Sequence, residues 1–399
     1  MARCWMAGPW LGWALLAGCT SDPEPMGGNP APAGPLYGLS ALIPGDVRTS
    51  YLAFVDRLDA DLEIDLSDTL EIPNAGLAIA APEPDRFFLI DGQAPQVSRW
   101  TLGEDGTPNL MGQLSFAQIS PSANSARPAN FAYTAPTRGY VFDTLIEDLV
   151  LWNPQDLAIE GVVSLEEEID FGGFFASVGS RTVWRGDELV VPMTSFMFTG
   201  SIGPTSRLLF IDSATDAVSQ VVEIGCAGVS HVIVTEDGTL YAGSDSSSIT
   251  NRLAELSDGD ECIVRIPPGS YEIEERTLIA ERTGGVPAGG LYPSSGTYAY
   301  MRVLDESLVP DGPSTIGELN GTPLWHWGRI DLAGTEDVEV FTDRDPVAQS
   351  PLAFVVDDVT WAVEPGADLA SGRLVDLSGE EPVSGVELRG IVLNAFRIR

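Results

Sequence analysis

Short runs of alternating apolar and polar residues recur along most of the chain, and turn-forming residues separate them. Six stretches share one plan, in which a strand of small residues is followed by a polar turn and a second strand rich in β-branched and aromatic residues. They begin at Gly76, Asn130, Ala176, Ser230, Gly289 and Pro351. The alternation predicts β-strands, and turns such as Asp237-Gly238 and Ser295-Gly296 predict that the strands pair as hairpins.

A second predicted hairpin follows each of these six. The hairpin pairs recur at about 45 to 65 residues, the period of a four-stranded propeller blade with variable loops. The ends supply a seventh unit: "SYLAFVDRL" from Ser50, "TLEIP" from Thr69 and the final "VELRGIVLNAFRIR" also have strand character. The sequence therefore predicts an all-β fold, a seven-bladed β-propeller of four-stranded antiparallel blades closed by a blade shared between the N- and C-terminal segments. A two-sandwich protein is the rival architecture, but it would need Greek-key crossings in place of regular paired hairpins.

The first residues have the pattern of a lipoprotein export signal. Arg3 is followed by an apolar stretch, Trp10 to Leu16, which is too short to span a bilayer, and then by Leu16-Ala17-Gly18-Cys19. This order matches a bacterial lipobox, and the alternative is an ordinary signal peptide with an incidental cysteine. We predict a signal peptide at 1–18, a lipidated Cys19 with a disordered tether over 19–45, and the propeller over 46–399. The protein would then be lipid-anchored to the bacterial cell envelope, at the outer membrane, facing the periplasm or the surface.

The remaining cysteines and the basic residues limit the kinds of catalysis and metal binding that can be expected. Cys4 lies in the predicted signal peptide and Cys19 is the predicted lipid attachment site, so Cys226 and Cys262 remain. Two cysteines in an exported chain most simply form a disulfide. All 21 basic residues are arginine, so catalysis through a lysine Schiff base is excluded. Two thiols and two histidines supply few ligands for a metal site. Calcium at the acidic clusters 56–63 or 258–261 is an alternative, but neither follows the EF-hand pattern, so we expect no metal site and no cofactor.

The chain is strongly acidic. Its 58 acidic residues against 21 basic ones give a formal charge of −37. Such a surface repels nucleic acid, so no nucleic-acid partner is expected. Solubility or a salty habitat explains the acidity as readily as a cationic partner does.

Long loops on one face of the propeller are the place to expect a binding site. With the strands of each blade labelled A to D from the channel outward, the B–C loops and D–A connections share one face, and three B–C loops are predicted to be long: 193–207, 243–261 and 302–324. Candidate ligand-binding residues there are Arg127, Phe174, Phe196, Phe198, His231, Arg282 and Arg344. Aromatic rings with guanidinium groups suit an anionic aromatic ligand. The alternative is that the rings anchor loops and the arginines form surface ion pairs.

Enzyme motifs are missing from the sequence. The chain has no G-x-S-x-G elbow, no H-E-x-x-H, no P-loop and no C-x-x-C. A Ser-His-Asp site could still form from residues distant in sequence, so a propeller hydrolase or lyase stays as the weaker alternative. We expect a non-enzymatic monomer.

The lipobox at Cys19, the acidic seven-blade pattern, the opening "SYLAFVDRLDADLEIDLSDTLEIP" from Ser50 and the closing blade resemble a family of bacterial propeller lipoproteins. Its members are encoded beside siderophore biosynthesis genes or TonB-dependent receptors, as in myxochelin-type iron transport. The resemblance implies capture of a ferric siderophore for delivery to a TonB-dependent receptor, without catalysis. A non-catalytic protein-interaction scaffold at the outer membrane is the alternative from another class.

Overall fold

Seven antiparallel sheets follow one another around a central channel. The computed structural model describes residues 34–45, 48–59, 62, 64, 66–119, 128–197, 199–257, 259–312, 314–366 and 369–399. In this part of the chain the sheets form seven blades, and the inner strands of neighbouring blades contact each other. The prediction of a seven-bladed β-propeller is confirmed.

The strands are numbered in chain order. Three precede the first complete blade: β1 (Tyr37–Ile43), β2 (Thr49–Val55) and β3 (Leu70–Ile72). Blade 1 contains β4 (Leu77–Ala80), β5 (Arg86–Ile90), β6 (Gln96–Leu102) and β7 (Pro108–Ser115). Blade 2 contains β8 (Phe131–Ala135), β9 (Arg138–Asp143), β10 (Asp148–Asn153) and β11 (Ala158–Ser164). Blade 3 contains β12 (Phe175–Val178), β13 (Val183–Arg185), β14 (Glu188–Phe196), β15 (Ile202–Asp212) and β16 (Ala217–Ile224).

The later blades follow the same order. Blade 4 contains β17 (Val229–Val234), β18 (Leu240–Ser244), β19 (Cys262–Ile266) and β20 (Glu275–Leu278). Blade 5 contains β21 (Ala288–Pro293), β22 (Tyr298–Leu304), β23 (Trp325–Asp331) and β24 (Glu339–Val340). Blade 6 contains β25 (Ala353–Val356), β26 (Val359–Pro365), β27 (Ser371–Asp376) and β28 (Val383–Arg389), and the last strand is β29 (Ile391–Arg397). The described connections carry four short α-helices: α1 (Glu166–Ile169), α2 (Ser246–Leu253), α3 (Ile279–Arg282) and α4 (Ile316–Gly321).

The seventh blade joins the two ends of the chain. Its order is β29-β1-β2-β3, so the C-terminal strand is innermost and the three N-terminal strands complete the sheet. Residues 37–42 pair with residues 391–397 across β1 and β29. The ring is therefore closed by hydrogen bonds between the chain's two ends, as the sequence predicts.

One boundary differs from the prediction. The sequence predicts a tether over 19–45, yet β1 (Tyr37–Ile43) lies in this segment and buries Leu39 and Ala41 completely. This short apolar strand follows a Pro- and Gly-rich stretch. It forms a hairpin with β2, the next strand, while its pairing with the distant β29 is not visible locally. Residues 1–33, with the predicted signal and Cys19, lie outside the described residues.

The apolar core lies between the blades. One cluster joins blades 3 and 4 through residues that include Val190, Phe210 and Val264, and others join blades 1 and 2 and blades 6 and 7 in the same way. Alternate residues of each strand point to the two neighbouring blades, because side chains along a strand alternate between the faces of the sheet. No helix in the described residues is long and apolar enough to cross a membrane.

Blade 3 departs from its predicted loop. The range 193–207 is mostly strand, since β14 and β15 pair as far as Phe196 and Ile202 and leave only 197–201 as the turn. By contrast, the predicted long loops of blades 4 and 5 carry α2 and α4, which pack on each other through Ile249 and Leu319. These two helices lie beside the channel.

Candidate site in the central channel

A cavity occupies the central channel of the propeller. It has a volume of about 750 Å³, and residues from all seven blades or from the connections between them line it. This volume lies within the roughly 300 to 1,000 Å³ of small-molecule sites. The wall is made mainly of small and apolar residues, among which Arg181 is the one basic residue and Asp245 the one acidic residue described. The channel is therefore the candidate functional site.

Arg181 lies in the short segment between β12 and β13. Gly179 permits this position, because a Cβ at Gly179 would lie 2.5 Å from the carbonyl oxygen of Ser230. The backbone N–H of Ser180 donates to the same oxygen over 2.9 Å. The chain is thus held tightly against blade 4, and the Arg181 side chain is directed into the channel wall.

The guanidinium of Arg181 has no partner among the described residues. Its Nη1 is buried without a hydrogen bond, and no ion pair joins it to any described carboxylate. Burial lowers the pKa of Arg181 to about 10, so the side chain stays charged at neutral pH. Arg181 as a whole is half-buried, but a buried Nη1 without an acceptor is unfavourable, and an anion entering the channel would relieve it.

His231 belongs to a buried network at the edge of this site. Its Nε2 lies 2.7 Å from Asp245 Oδ2, and the two side chains are only 3% and 2% exposed. Asp245 also accepts a hydrogen bond from the backbone N–H of Ser247 at the start of α2, over 2.7 Å. Burial would raise the pKa of Asp245, but the hydrogen bonds from His231 and Ser247 outweigh it and hold this pKa below its ordinary 3.8. His231 therefore supports Asp245 and α2 from behind.

Each of the two histidines has a hydrogen-bond partner among the described residues. Asp245 is the only hydrogen-bond partner of the His231 side chain among the described residues. The second histidine, His326, lies in β23 with its Nε2 3.4 Å from Asp305 Oδ2. In the described part of the chain, neither has a hydroxyl or thiol bound to it that could act as a nucleophile.

Arg282 and Arg344 do not reach the channel. The Arg282 guanidinium donates to the carbonyl oxygens of Glu336 at 2.8 Å and Asp331 at 3.2 Å, and it lines a separate cavity of about 170 Å³. Arg344 Nη1 donates to the carbonyl oxygen of Pro382 over 2.6 Å. Each arginine sits in a D–A connection, as predicted, but binds the turn between the two outer strands of the next blade. Both therefore hold neighbouring blades together and are not placed to touch a ligand in the channel.

The predicted aromatic residues lie on top of blade 3. Phe174 packs on β15, where a Cβ at Gly203 would lie 3.3 Å from its ring. Phe196 is half-buried, and its ring centroid is 6.1 Å from that of Phe175. Phe354 is the one aromatic residue among the described residues of the channel wall. Arg127 and Phe198, the other two predicted ligand contacts, lie outside the described residues.

The predicted disulfide is present. Cys226 and Cys262 are bonded, with their Cα atoms 5.9 Å apart, and both are fully buried. The bond joins the end of blade 3 to the start of β19 in blade 4. It fixes the blade interface that carries Ser230, and so supports the wall beside Arg181.

Two channel residues are not among those predicted from the sequence. Arg181 and Asn320 line the cavity, but neither stands in a recognisable motif. For Arg181 only the residue type was visible in the sequence, in the short segment between β12 and β13. For Asn320 there was no sequence signal, since its place depends on how α4 packs on α2.

Comparisons with known proteins show the architecture alone. No protein-family model matches the chain, and no curated protein matches it in sequence. A hypothetical selenium-binding protein from Sulfolobus tokodaii is similar in structure, with a TM-score of 0.55 and 10% identity over 92% of this chain and 93% of that one. A candidate 6-phosphogluconolactonase from Bacteroides fragilis has a TM-score of 0.54 and 9% identity over 92% and 98% of the two chains. A protein from Lactobacillus plantarum has a TM-score of 0.53 and 11% identity over 92% and 99%. At these identities what the chain shares with them is the fold.

Proposed function

We propose that this protein is a binding protein of the bacterial cell envelope that holds a small anionic ligand in the central channel of its propeller. The observation that carries the proposal is the half-buried Arg181 in the wall of a 750 Å³ cavity, whose Nη1 is buried without a hydrogen bond. Arg282 and Arg344 also lack a carboxylate partner, but backbone carbonyl oxygens accept from them, whereas no described residue accepts from Arg181 Nη1. An anionic ligand is the partner it lacks.

The first ligand class to test is a ferric siderophore. The lipobox at Cys19 and the resemblance to propeller lipoproteins of iron uptake support it, and many ferric siderophores are anionic. The channel offers one aromatic ring among its described residues, Phe354, so charge and shape would contribute more than stacking. A lipid anchor at Cys19 would keep the propeller at the outer membrane, where a TonB-dependent receptor would take the ligand.

The acidic surface affects how such a ligand would bind. The overall field opposes the approach of an anion, which slows association at low salt. Once inside, the ligand is shielded by the channel walls and is close to the only basic residue described there. We therefore expect the affinity to depend on Arg181 far more than on surface arginines.

The experiment is a tryptophan-fluorescence titration of the purified protein with ferric and metal-free catecholate and hydroxamate siderophores. Saturable, iron-dependent quenching is expected, and Arg181→Gln should weaken binding by about 1.5 to 3 kcal/mol, roughly tenfold to a hundredfold. Arg57→Gln is the matched control, since Arg57 is exposed and does not line the channel. Equal ligand affinities of wild type and R181Q would contradict the assignment of Arg181 to the ligand site.

A protein-interaction scaffold is the second candidate function. Leu110 and Met111 are 50% and 51% exposed on the outer strand β7, where they form an apolar spot on the rim. A flat response to every small ligand in the titration would favour this second function. A receptor or other protein partner would then be sought at the rim.

A further inference from the structure

Two polar groups in the channel wall lack a partner, and they differ in kind. Among the described residues that line the cavity, Arg181 Nη1 is a buried donor without an acceptor, and Asn320 Oδ1 is a buried acceptor without a donor. Leaving a buried polar atom unpaired is unfavourable, so such atoms in a cavity mark places where a ligand can bind. The cavity thus offers one site for an anion and another for a hydrogen-bond donor.

The position of Asn320 is fixed by the packing of α4. Thr315 and Glu318 form a capping box at the start of this helix, with the backbone N–H of Thr315 donating to Glu318 Oε2 over 2.8 Å. Leu319, next to Asn320, is buried against Ile249 of α2. Asn320 is therefore held at the wall by a well-defined helix, on the side of blade 5, while Arg181 belongs to blade 3.

The other charged group of the wall is already engaged. Asp245 Oδ2 is bound to His231, and Oδ1 accepts from the N–H of Ser247, with Gln349 Nε2 at 3.5 Å. Both oxygens of Asp245 are thus already hydrogen-bonded within the protein, whereas Asn320 Oδ1 is not. The N-terminal end of α2, whose Ser247 also lines the cavity, carries a partial positive charge and disfavours a cation. A hydroxyl is then the donor that fits Asn320 best.

We propose that the ligand of the channel is a hydroxyl-bearing anion, whose anionic group binds Arg181 and whose hydroxyl donates to Asn320 Oδ1. This inference rests on the proposed function and specifies the chemistry of its ligand. The Arg181 contact supplies attraction for any anion that fits. The Asn320 contact selects ligands that carry a hydroxyl. A ligand without one would leave Oδ1 unpaired in the complex, as it is in the free protein.

Isothermal titration calorimetry with citrate and tricarballylate tests this directly. The two tricarboxylates differ by one hydroxyl, so the ratio of their affinities reports on the donor alone. The wild type should bind citrate about tenfold more tightly than tricarballylate. In Asn320→Leu, which has similar volume and no acceptor, the two affinities should converge. In Asn320→Asp, which keeps an acceptor, the preference for citrate should persist while both ligands bind more weakly, because a negative charge has been added.

The controls separate this inference from the proposed function. Asn109→Leu on the exposed strand β7 should leave both affinities unchanged. Loss of both ligands in R181Q together with an unchanged ratio in N320L would retain the anion site and overturn the hydroxyl contact. An absence of citrate binding in the wild type, or equal affinities for the two acids, would overturn it as well. Free hydroxyacids and ferric complexes that carry a pendent hydroxyl share this chemistry, and titrations with citrate alone and with ferric citrate distinguish the two sources.

Discussion

His231 Nε2 and Asp245 Oδ2 are 2.7 Å apart, and both side chains are buried where the inner strand of blade 4 meets α2. The pair does structural work beside the channel. It keeps Asp245 in position to cap α2, and α2 in turn packs on α4, which carries Asn320. The geometry of the proposed ligand site therefore depends on a hydrogen bond made outside the ligand's reach.

Asp245→Asn should lower stability and change its dependence on acid. The pKa of Asp245 is held below 3.8, so its ionised form stabilises the fold above that pH and the contribution is lost as the pH falls below it. We expect D245N to unfold more easily by about 2 to 3 kcal/mol at neutral pH, and to lose less stability than wild type between about pH 5 and 3. Urea denaturation at several pH values measures both. Asp311→Asn, at an exposed position, is the control, and parallel acid profiles for wild type and D245N would contradict the assignment.

Cys226→Ser should destabilise the junction between blades 3 and 4. The disulfide closes a loop of 36 residues, for which chain entropy predicts a loss of about 3 to 4 kcal/mol. Thermal unfolding of the wild type with and without reductant should show a similar loss. A melting temperature unaffected by reductant or by the substitution would count against this role of the bond.

Arg181→Met should make the ligand-free protein more stable while it abolishes ligand binding. The substitution removes a half-buried charge whose Nη1 lacks a partner and keeps a long side chain in the wall, so a gain of about 1 to 2 kcal/mol is expected. Denaturant unfolding without ligand measures it. A loss of stability would mean that Arg181 already has a stabilising partner in the free protein.

Arg344→Gln and Arg282→Gln should affect folding and leave ligand affinity alone. Each guanidinium binds a backbone carbonyl of a neighbouring blade, and losing it should cost about 1 to 2 kcal/mol of stability. The fluorescence titration with the same ligand panel provides the second readout. Weaker ligand binding in variants that remain folded would show that these arginines contact the ligand after all.

Cys19→Ser tests the predicted anchor. If Cys19 carries lipid, the wild type should sediment with membranes, and the variant should appear in the soluble fraction because it has lost the acyl chains. Mass spectrometry of the purified wild type should show the added mass on this residue. If the wild type and the variant divide equally between the membrane and soluble fractions, the proposed lipid attachment at Cys19 is contradicted.

The fold could be predicted from the sequence because its signals are local. Hairpins such as the one that begins at Ser230 show alternation and turn residues within fifteen positions, and their repetition identifies blades. β1 forms a local hairpin with β2, but its pairing with β29 could not be predicted because the two strands lie at opposite ends of the chain. The same limit applies to the site: the sequence places Arg282 and Arg344 in the correct connections, but only their contacts with the next blade reveal that they are structural.

Arg181 illustrates why the site itself was not predictable. The sequence shows that residue 181 is an arginine. It does not show the property that makes this arginine important, which is that no described carboxylate or carbonyl accepts a hydrogen bond from its Nη1. That property depends on the packing of Gly179 against Ser230 and on the width of the channel. No local pattern in the sequence contains either.

The most direct test of the proposed channel site is a crystal structure of the protein with the tightest-binding ligand of the panel, with any bound iron located by anomalous scattering. We predict that the ligand lies inside the central channel, with an anionic oxygen about 2.7 to 3.2 Å from the Arg181 guanidinium. A ligand bound at the rim, with the channel empty beside Arg181, would contradict the proposal.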